Sequence, residues 1–175
     1  MEKLKFVGFH ATSQANVNNI ITRGFIINKE RNNDWLGHGI YMFLYKIDAE
    51  SWANETYYCK NNPAIIKCSV EVEEDKYLDL DNSEEKNIYE SYYDEVLKLL
   101  LRNGKSIIFK NNYEAMCWGL NIYKKDKKID LIKYTFTNNR TRNAMKYGNV
   151  KYGYKYNEIQ MCASRNEIIL KKEIC

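Results

Sequence analysis

The sequence predicts a mixed α+β domain, because strand-like and helix-like segments follow one another along the chain without any repeat. Apolar residues with helical spacing predict the helices, and short apolar or alternating runs predict the strands. The chain has 175 residues and one proline, a length that fits a single domain, residues 1–175, with its own core. We therefore expect one domain whose strands lie far apart in sequence.

Capping residues, glycines and apolar periodicity predict the individual elements. In chain order these are a strand at Lys5–His10, a helix at Ala15–Arg23, a strand at Ile40–Leu44, a helix at Ala49–Tyr58, strands at Ala64–Val72 and Tyr77–Leu80, helices at Ser83–Leu101 and Asn111–Leu120, and strands at Asp130–Phe136, Glu158–Ser164 and Glu167–Lys171. Ser13 and Asp48 are the predicted N-caps of the first two helices, and Gly24 ends the first. The last two strands flank an Arg165-Asn166 turn and are expected to be adjacent. The polar stretch 137–156 is predicted to be loop.

The cysteines and the apolar runs exclude several classes of protein. The five cysteines are scattered, with no Cys-x-x-Cys pair and only two histidines in the chain, so neither a zinc site nor a disulfide framework is indicated. No stretch approaches the roughly 20 apolar residues that cross a bilayer, and the charged start is unlike a signal peptide. We expect a soluble, cytoplasmic protein without a membrane partner; export by a route that needs no cleaved signal is the alternative.

The net charge of +4 is unevenly distributed along the chain. Acidic residues predominate between Glu71 and Glu95, whereas the block Lys124–Lys155 contains ten Lys and Arg against Asp126 and Asp130. Such a basic block attracts an anionic partner such as a nucleic acid or nucleotide phosphates. A solvated surface without a partner is the alternative explanation.

Three short segments contain the candidate site residues. They are Gly-Phe-His-Ala-Thr-Ser at 8–13, Leu-Gly-His-Gly-Ile-Tyr-Met-Phe at 36–43 and Tyr-Asn-Glu-Ile-Gln at 156–160. In this order they resemble the active site of the diphtheria-toxin-like and poly(ADP-ribose)-polymerase-like ADP-ribosyltransferases, in which a histidine, a tyrosine and a glutamate from separate strands hold NAD. The resemblance places these roles on His10, Tyr41 and Glu158. It also implies the fold of that family, two abutting antiparallel sheets with a central NAD cleft and flanking helices.

The first segment corresponds to the family's binding site for nicotinamide riboside. The resemblance implies that His10 binds a ribose hydroxyl of NAD and that the backbone after it, Ala11 and Thr12, holds the nicotinamide carboxamide. Ala11 stands where the family usually has glycine. The backbone can still serve if its dihedral angles suit a residue with a Cβ atom.

The second segment corresponds to the family's nicotinamide-stacking motif. Gly39 and Tyr41 belong to a Gly-Ile-Tyr sequence whose tyrosine ring stacks on nicotinamide, as a flat heterocycle favours. Trp52 in the following helix corresponds to the second aromatic residue of the stack. The family's small hydroxyl residue falls on Ala49, with Ser51 close by.

The third segment corresponds to the strand with the catalytic acid. A carboxylate at Glu158 would stabilise the positive charge that develops on the ribose when the nicotinamide bond breaks. Gln160 is a neighbour expected to contact the acceptor. Arginine-modifying relatives have Gln or Glu two residues before the catalytic acid; Tyr156 is there instead, which disfavours arginine as acceptor.

The resemblance therefore implies a mono-ADP-ribosyltransferase with NAD as co-substrate and no metal. The expected acceptor is a nucleic acid, RNA or DNA, or a protein, and a compact transferase of this kind suggests a toxin or defence effector restrained by a neutralising antitoxin or immunity protein. Two alternatives stay open: an NAD glycohydrolase that transfers ADP-ribose to water, and an inactive relative that binds nucleic acid or protein. Neither a phosphate-binding loop nor a dinucleotide fingerprint is present in the sequence.

Overall fold

The computed structural model describes residues 2–27, 34–56, 59, 61–138, 145–147, 150–152 and 156–175. Its helices are α1 Gln14–Arg23, α2 Lys46–Glu55, α3 Ser83–Arg102 and α4 Asn112–Lys127. Its strands are β1 Lys3–Ser13, β2 Ile40–Phe43, β3 Pro63–Glu73, β4 Tyr77–Asp79, β5 Leu131–Asn138, β6 Met145–Tyr147, β7 Val150–Tyr152, β8 Tyr156–Ala163 and β9 Ile169–Ile174. The prediction of a mixed α+β chain is confirmed.

Seven of these strands pair into one sheet, in the order β4-β5-β8-β2-β1-β3-β9. The β4–β5 pair is parallel and the other pairs are antiparallel. The expected pair of separate sheets is therefore corrected to a continuous sheet. Its two halves are joined at a single position, where Phe9 of β1 pairs with Phe43 of β2.

Helices cover both faces of the sheet, as the alternation of side chains along β2 illustrates. Ile40 and Met42 are buried in a cluster that includes Ile20 of α1. Tyr41 packs on the opposite face, in a cluster that includes Leu120 of α4. On that second face α2 covers the β1–β3 half of the sheet, and α4 covers the β5–β8 half. Phe43 belongs to the α2 cluster, so β2 lies where the two helical layers meet.

Two of the predicted helices have different bounds in the structure. Helix α1 begins after Ser13 and ends at Gly24, which has φ +88°, as predicted. Helix α2 begins earlier than expected, at Lys46 after an N-cap at Tyr45, and Asp48 therefore lies in its first turn and not at its cap. Helix α4 continues to Lys127, beyond the predicted end. None of the helices in the described part of the chain combines the length and apolar composition that a bilayer crossing requires.

Two predictions near the C-terminus are wrong. Strand β9 pairs with β3 and not with the preceding β8. The Asn166 side chain explains the diversion: it accepts a hydrogen bond from the Phe25 N–H at 2.7 Å and donates one to the Phe25 carbonyl at 2.9 Å, which holds the chain beneath α1. The stretch predicted as loop contains β6 and β7, which pair with each other.

Candidate active site

The three candidate catalytic residues lie on three strands that are neighbours in the sheet. His10 is in β1, Tyr41 in β2 and Glu158 in β8, and the order β8-β2-β1 puts β2 in the middle. Beyond the Phe9–Phe43 pair, β1 and β2 separate. We call the resulting gap the split; residues 10–13 of β1 and 40–42 of β2 border it.

The backbone groups of β2 alternate between its two neighbouring strands. The Leu44 N–H donates to the Ile159 carbonyl in β8 at 2.9 Å, so even-numbered residues of β2 face β8 and odd-numbered ones face β1. The carbonyl of Tyr41 accordingly faces β1, where it accepts a hydrogen bond from Nδ1 of His10 at 2.8 Å. The His10 side chain thus makes the hydrogen bond to the Tyr41 carbonyl that a backbone N–H of β1 would make in a continuous ladder.

The same alternation in β1 leaves one residue open toward the split. The Gln14 N–H donates to the Asn62 carbonyl at 2.9 Å, so even-numbered residues of β1 face β3 and odd-numbered ones face β2. Phe9 uses this edge to pair with Phe43, and the β1–β2 register ends there. The N–H and C=O of Ala11 therefore both point into the split without a strand partner among the described residues.

Ala11 fits this position without strain. It lies in extended β1 backbone, and Lys128 is the single non-glycine residue with positive φ in the described part of the chain. Its side chain is buried in the α2 cluster, beside Phe43 and Ile65. Alanine in place of glycine therefore leaves the direction of the backbone groups unchanged. Thr12, next along, directs its backbone toward β3 and is buried.

The hydrogen bond to Tyr41 fixes the tautomer of His10. A carbonyl oxygen accepts only, so Nδ1 must carry the hydrogen. Burial lowers the pKa of His10, an effect that the Tyr41 carbonyl partly offsets. The imidazole is therefore neutral at pH 7, and Nε2 retains a lone pair that can accept from a hydroxyl. Phe25 packs edge-on against the ring at 4.8 Å and fixes its orientation.

The Tyr41 ring is fixed on the opposite face by both functions of its hydroxyl. This group donates to the Gly37 carbonyl at 2.9 Å and accepts from the Leu36 N–H at 2.7 Å. Burial raises the pKa of Tyr41 well above its ordinary value, so the hydroxyl stays protonated. Gly39 is required by close packing, because a Cβ atom there would lie 2.6 Å from the Ala163 carbonyl and against the Cys162 sulfur.

Trp52 is 41% exposed in the last turn of α2. Among the described residues, its aromatic neighbour is Phe43, at 6.5 Å between ring centroids. Ala49, the counterpart of the family's hydroxyl residue, is fully buried, and the nearby Ser51 hydroxyl donates to Glu55 at 3.5 Å. The aromatic side of this region therefore consists of Tyr41, Phe43 and Trp52 on one face of the sheet.

Glu158 lies two residues before Gln160, which pairs with Phe43 of β2. With strands about 4.8 Å apart and about 3.3 Å per residue along each strand, the Cα atoms of Glu158 and His10 are roughly 14 Å apart. Glu158 projects from the face of Phe43 and Ala11, whereas His10 projects from the α1 face beside Phe25. Gln160 is 7% exposed and lies on the same face as Glu158, between Phe43 and Tyr134 of β5.

Sequence reasoning missed the residues that hold the turn before β2. The Lys124 ammonium, 7% exposed, donates to the carbonyls of His38 at 2.6 Å and Leu36 at 3.3 Å. The Asn121 side chain accepts from the His38 N–H at 2.8 Å. Both residues come from α4, so this helix sets the position of the Gly-Ile-Tyr motif. Lys124 is hidden in sequence because it stands in a lysine-rich run typical of a solvated helix end.

The basic block is therefore less uniformly exposed than its sequence indicates. Besides the buried Lys124, Lys133 forms ion pairs with Asp79 at 2.8 Å and Asp81 at 3.1 Å. The remaining positive charge of the basic block comes largely from Lys125, Lys127 and Lys128 at the end of α4 and from the stretch between β5 and β8. Residues 139–144, 148–149 and 153–155 lie outside the described part.

The buried thiols are unsuited to act as nucleophiles. Cys59, Cys68, Cys117 and Cys162 are buried, and Cys175 is exposed. Burial raises the pKa of Cys162 to about 11 and that of Cys68 to about 12, so both are protonated at pH 7. The Cys162 thiol contacts the Gly37 carbonyl at 3.5 Å. Its role in the structure is to pack beneath the turn.

Comparisons with known proteins give one distant relative. The chain is 27% identical to an uncharacterized protein of Methanocaldococcus jannaschii over 191 aligned positions, which cover 99% of this chain and 88% of the archaeal one. No family model matches the chain. No solved structure matches it significantly. The similarity to the archaeal protein extends over all the elements that border the split.

Proposed function

We propose that this protein is an NAD-dependent mono-ADP-ribosyltransferase, which releases nicotinamide from NAD and transfers ADP-ribose to a macromolecule. The observation that carries the proposal is the open backbone of Ala11 beside His10. A primary carboxamide has one acceptor oxygen and two N–H donors, so it needs a donor and an acceptor side by side. The N–H and C=O of Ala11 supply this pair on one edge of β1.

His10 adds a position for the adjoining ribose. With Nδ1–H committed to the Tyr41 carbonyl, Nε2 is the acceptor available for a ribose hydroxyl. The rigid support of the imidazole by Phe25 means that little ordering is needed when the ribose binds. Trp52, which is 41% exposed and packs near the buried Phe43, offers aromatic surface on the face of the sheet toward which Ala11 projects.

Glu158 supplies the charge for the chemical step. When the bond between ribose C1′ and the nicotinamide nitrogen breaks, its electron pair goes to nicotinamide and positive charge develops on the ribose. A fixed carboxylate near that charge stabilises the transition state. The acceptor then forms a bond to C1′ and releases its proton, for which the Glu158 carboxylate is the proposed base.

The test is nicotinamide release by the purified protein, wild type beside Glu158→Gln. Glutamine has the same shape without the charge, so we expect release to fall by about 100-fold or more. Glu167→Gln is the matched control, because Glu167 is exposed beyond β8 and its substitution removes the same charge. Circular dichroism verifies that both variants fold.

Equal release by the wild type and Glu158→Gln would contradict the proposal, as would a wild type that neither binds NAD nor releases nicotinamide. Release that leaves every offered macromolecule unlabelled would identify the glycohydrolase instead. An inactive relative would show neither activity and would bind nucleic acid or protein equally well with and without NAD.

A further inference from the structure

Three aromatic side chains from separate elements form a surface beside Glu158. Trp35, in the turn before β2, stacks on Tyr113 of α4 with 5.2 Å between ring centroids and 23° between ring planes. Phe136 of β5 contacts Trp35 edge-on at 4.9 Å. We call these three residues the aromatic platform. Tyr113 is 49% exposed, so the platform is open to solvent at this end.

The platform begins directly next to the proposed catalytic carboxylate. Phe136 pairs with Glu158 across the β5–β8 ladder. Residues directly opposite each other in such a ladder project from the same face with Cβ atoms about 5 Å apart. The split lies on the other side of β8, beyond β2. Glu158 therefore stands between the proposed NAD site and the platform, which is where an acceptor must approach.

Basic residues are close in sequence to the platform and to Glu158. The ladder of β5 and β8 ends at the pair Asn138–Tyr156. The 17 residues that connect this pair, 139–155, contain five Lys and Arg and no Asp or Glu. The connection between α3 and α4, which leads to Tyr113, adds the exposed Lys105 and Lys110 without an acidic residue. Lysine and arginine next to exposed aromatic rings are the composition of single-stranded nucleic-acid sites.

We propose that the acceptor is a single-stranded nucleic acid, one base of which stacks on the aromatic platform. This inference rests on the proposed function. Aromatic rings accept any unpaired base, whereas the bases of a duplex are already stacked on each other. Phosphates of the same strand contact the exposed Lys105 and Lys110 before α4. A nitrogen or oxygen of the stacked nucleotide forms the bond to ribose C1′, nicotinamide leaves with the electron pair of the broken bond, and the nucleotide's proton passes to Glu158.

Binding of nucleic acid without NAD tests this inference independently of catalysis. Fluorescence anisotropy of labelled single-stranded DNA and RNA oligonucleotides gives Kd for the wild type, Tyr113→Ala and Tyr113→Phe. We expect Tyr113→Ala to weaken binding by about 5- to 150-fold, the range for one lost stacking contact. Tyr113→Phe keeps the ring and is expected to bind within about 2-fold of wild type. Leu170→Ala, on exposed β9 at the far edge of the sheet, is the control.

A second assay relates binding to transfer. With labelled NAD, the wild type is expected to label single-stranded oligonucleotides and Tyr113→Ala to lose this labelling, while Leu170→Ala keeps both labelling and nicotinamide release within about 2-fold. Equal Kd values for wild type and Tyr113→Ala, or labelling of protein and not of oligonucleotides, would overturn the inference. Both results leave the Glu158→Gln comparison intact, so the failure of either proposal is recognised separately. The DNA and RNA arms distinguish the two kinds of strand.

Discussion

The turn before β2 and the edge of β2 that faces β1 differ in how many of their polar groups form hydrogen bonds. In the turn that leads into the strand, Lys124 binds two carbonyls, Asn121 binds an N–H, and the Tyr41 hydroxyl bonds to both Leu36 and Gly37. Along the edge that faces β1, the ladder stops after one residue pair and Ala11 is left open. Helix α4 therefore fixes β2 firmly on one side, so that the split on the other side keeps a preorganised shape.

We expect the largest effects from proline substitutions at Ala11 and Thr12, two adjacent residues of β1 whose N–H groups face opposite neighbours. Ala11→Pro removes the N–H that points into the split, and we expect NAD to bind about 5- to 150-fold more weakly because a hydrogen bond of about 1–3 kcal/mol is lost. The protein should still fold, since no ladder bond is removed. Isothermal titration with NAD and urea unfolding measure the two effects.

Thr12→Pro is the matched variant, because its N–H faces β3. It should destabilise the fold by about 1–3 kcal/mol through a lost ladder bond. Ala11→Gly keeps both backbone groups and should retain NAD binding. If Ala11→Pro binds NAD as well as the wild type does, the split is not the carboxamide site.

Removing the buried ammonium of Lys124 tests how far this residue stabilises the turn before β2. Lys124→Met keeps most of the side-chain length but no donor, so two carbonyls of the turn lose a charged partner. We expect the free energy of unfolding in urea to fall by about 1.5–3 kcal/mol, the range for hydrogen bonds to charged groups. Lys125→Met, at an exposed neighbouring position, should change it by less than about 0.5 kcal/mol. Equal effects would show that the hydrogen bonds of Lys124 to the turn do not stabilise the fold.

His10 predicts a pH dependence of stability. Its pKa is lowered in the folded state, so the unfolded chain binds a proton first as the pH falls. Stability should therefore decrease below pH ~6.5, by at most about 1.4 kcal/mol per pH unit, until the lowered pKa of the folded state is reached. His10→Asn keeps an N–H for the Tyr41 carbonyl and cannot titrate there. Between pH 7 and pH 5 the unfolding free energy of His10→Asn should fall less than that of the wild type. An equal fall in both proteins would refute a lowered pKa for His10.

The smallest effect is expected from alkylation of the thiols. Iodoacetamide at pH 7 should modify the exposed Cys175 quickly, while the four buried cysteines react slowly because their thiols are protonated and enclosed. Nicotinamide release should change by less than about 2-fold. Mass spectrometry counts the modified residues, and Cys175→Ser is the control. Inactivation that parallels modification of Cys162 would instead indicate a catalytic thiol.

The local elements of this chain could be predicted from its sequence. Ser13 and Gly24 mark the ends of α1, and the apolar run after Gly39 marks β2, because capping and strand formation depend on neighbouring residues. The candidate residues His10 and Glu158 were also found as sequence motifs. Their placement on the two strands that flank β2 follows from pairing that the motifs do not encode.

The parts that could not be predicted depend on contacts between residues far apart in sequence. Alternation in β9 indicates a strand but not that its partner is β3, a choice that the bonds between Asn166 and Phe25 explain. The open edge at Ala11 follows from where the β1–β2 ladder ends. The burial of Lys124 follows from carbonyls 86 and 88 residues away.

The edge strands of the sheet are β4 and β9, whereas Ala11 lies on the interior strand β1. Strand β4 has three residues, with Asp79 ion-paired to Lys133 at 2.8 Å, and the other rim, β9, carries Lys171 and Lys172. Short and charged rims disfavour the addition of a strand from another molecule, which is the usual first step of β-aggregation. The unpaired N–H and C=O of Ala11 instead lie in the interior of the sheet, on a strand flanked by β3 and β2. The sheet can therefore offer bare backbone to a small planar ligand while resisting self-association.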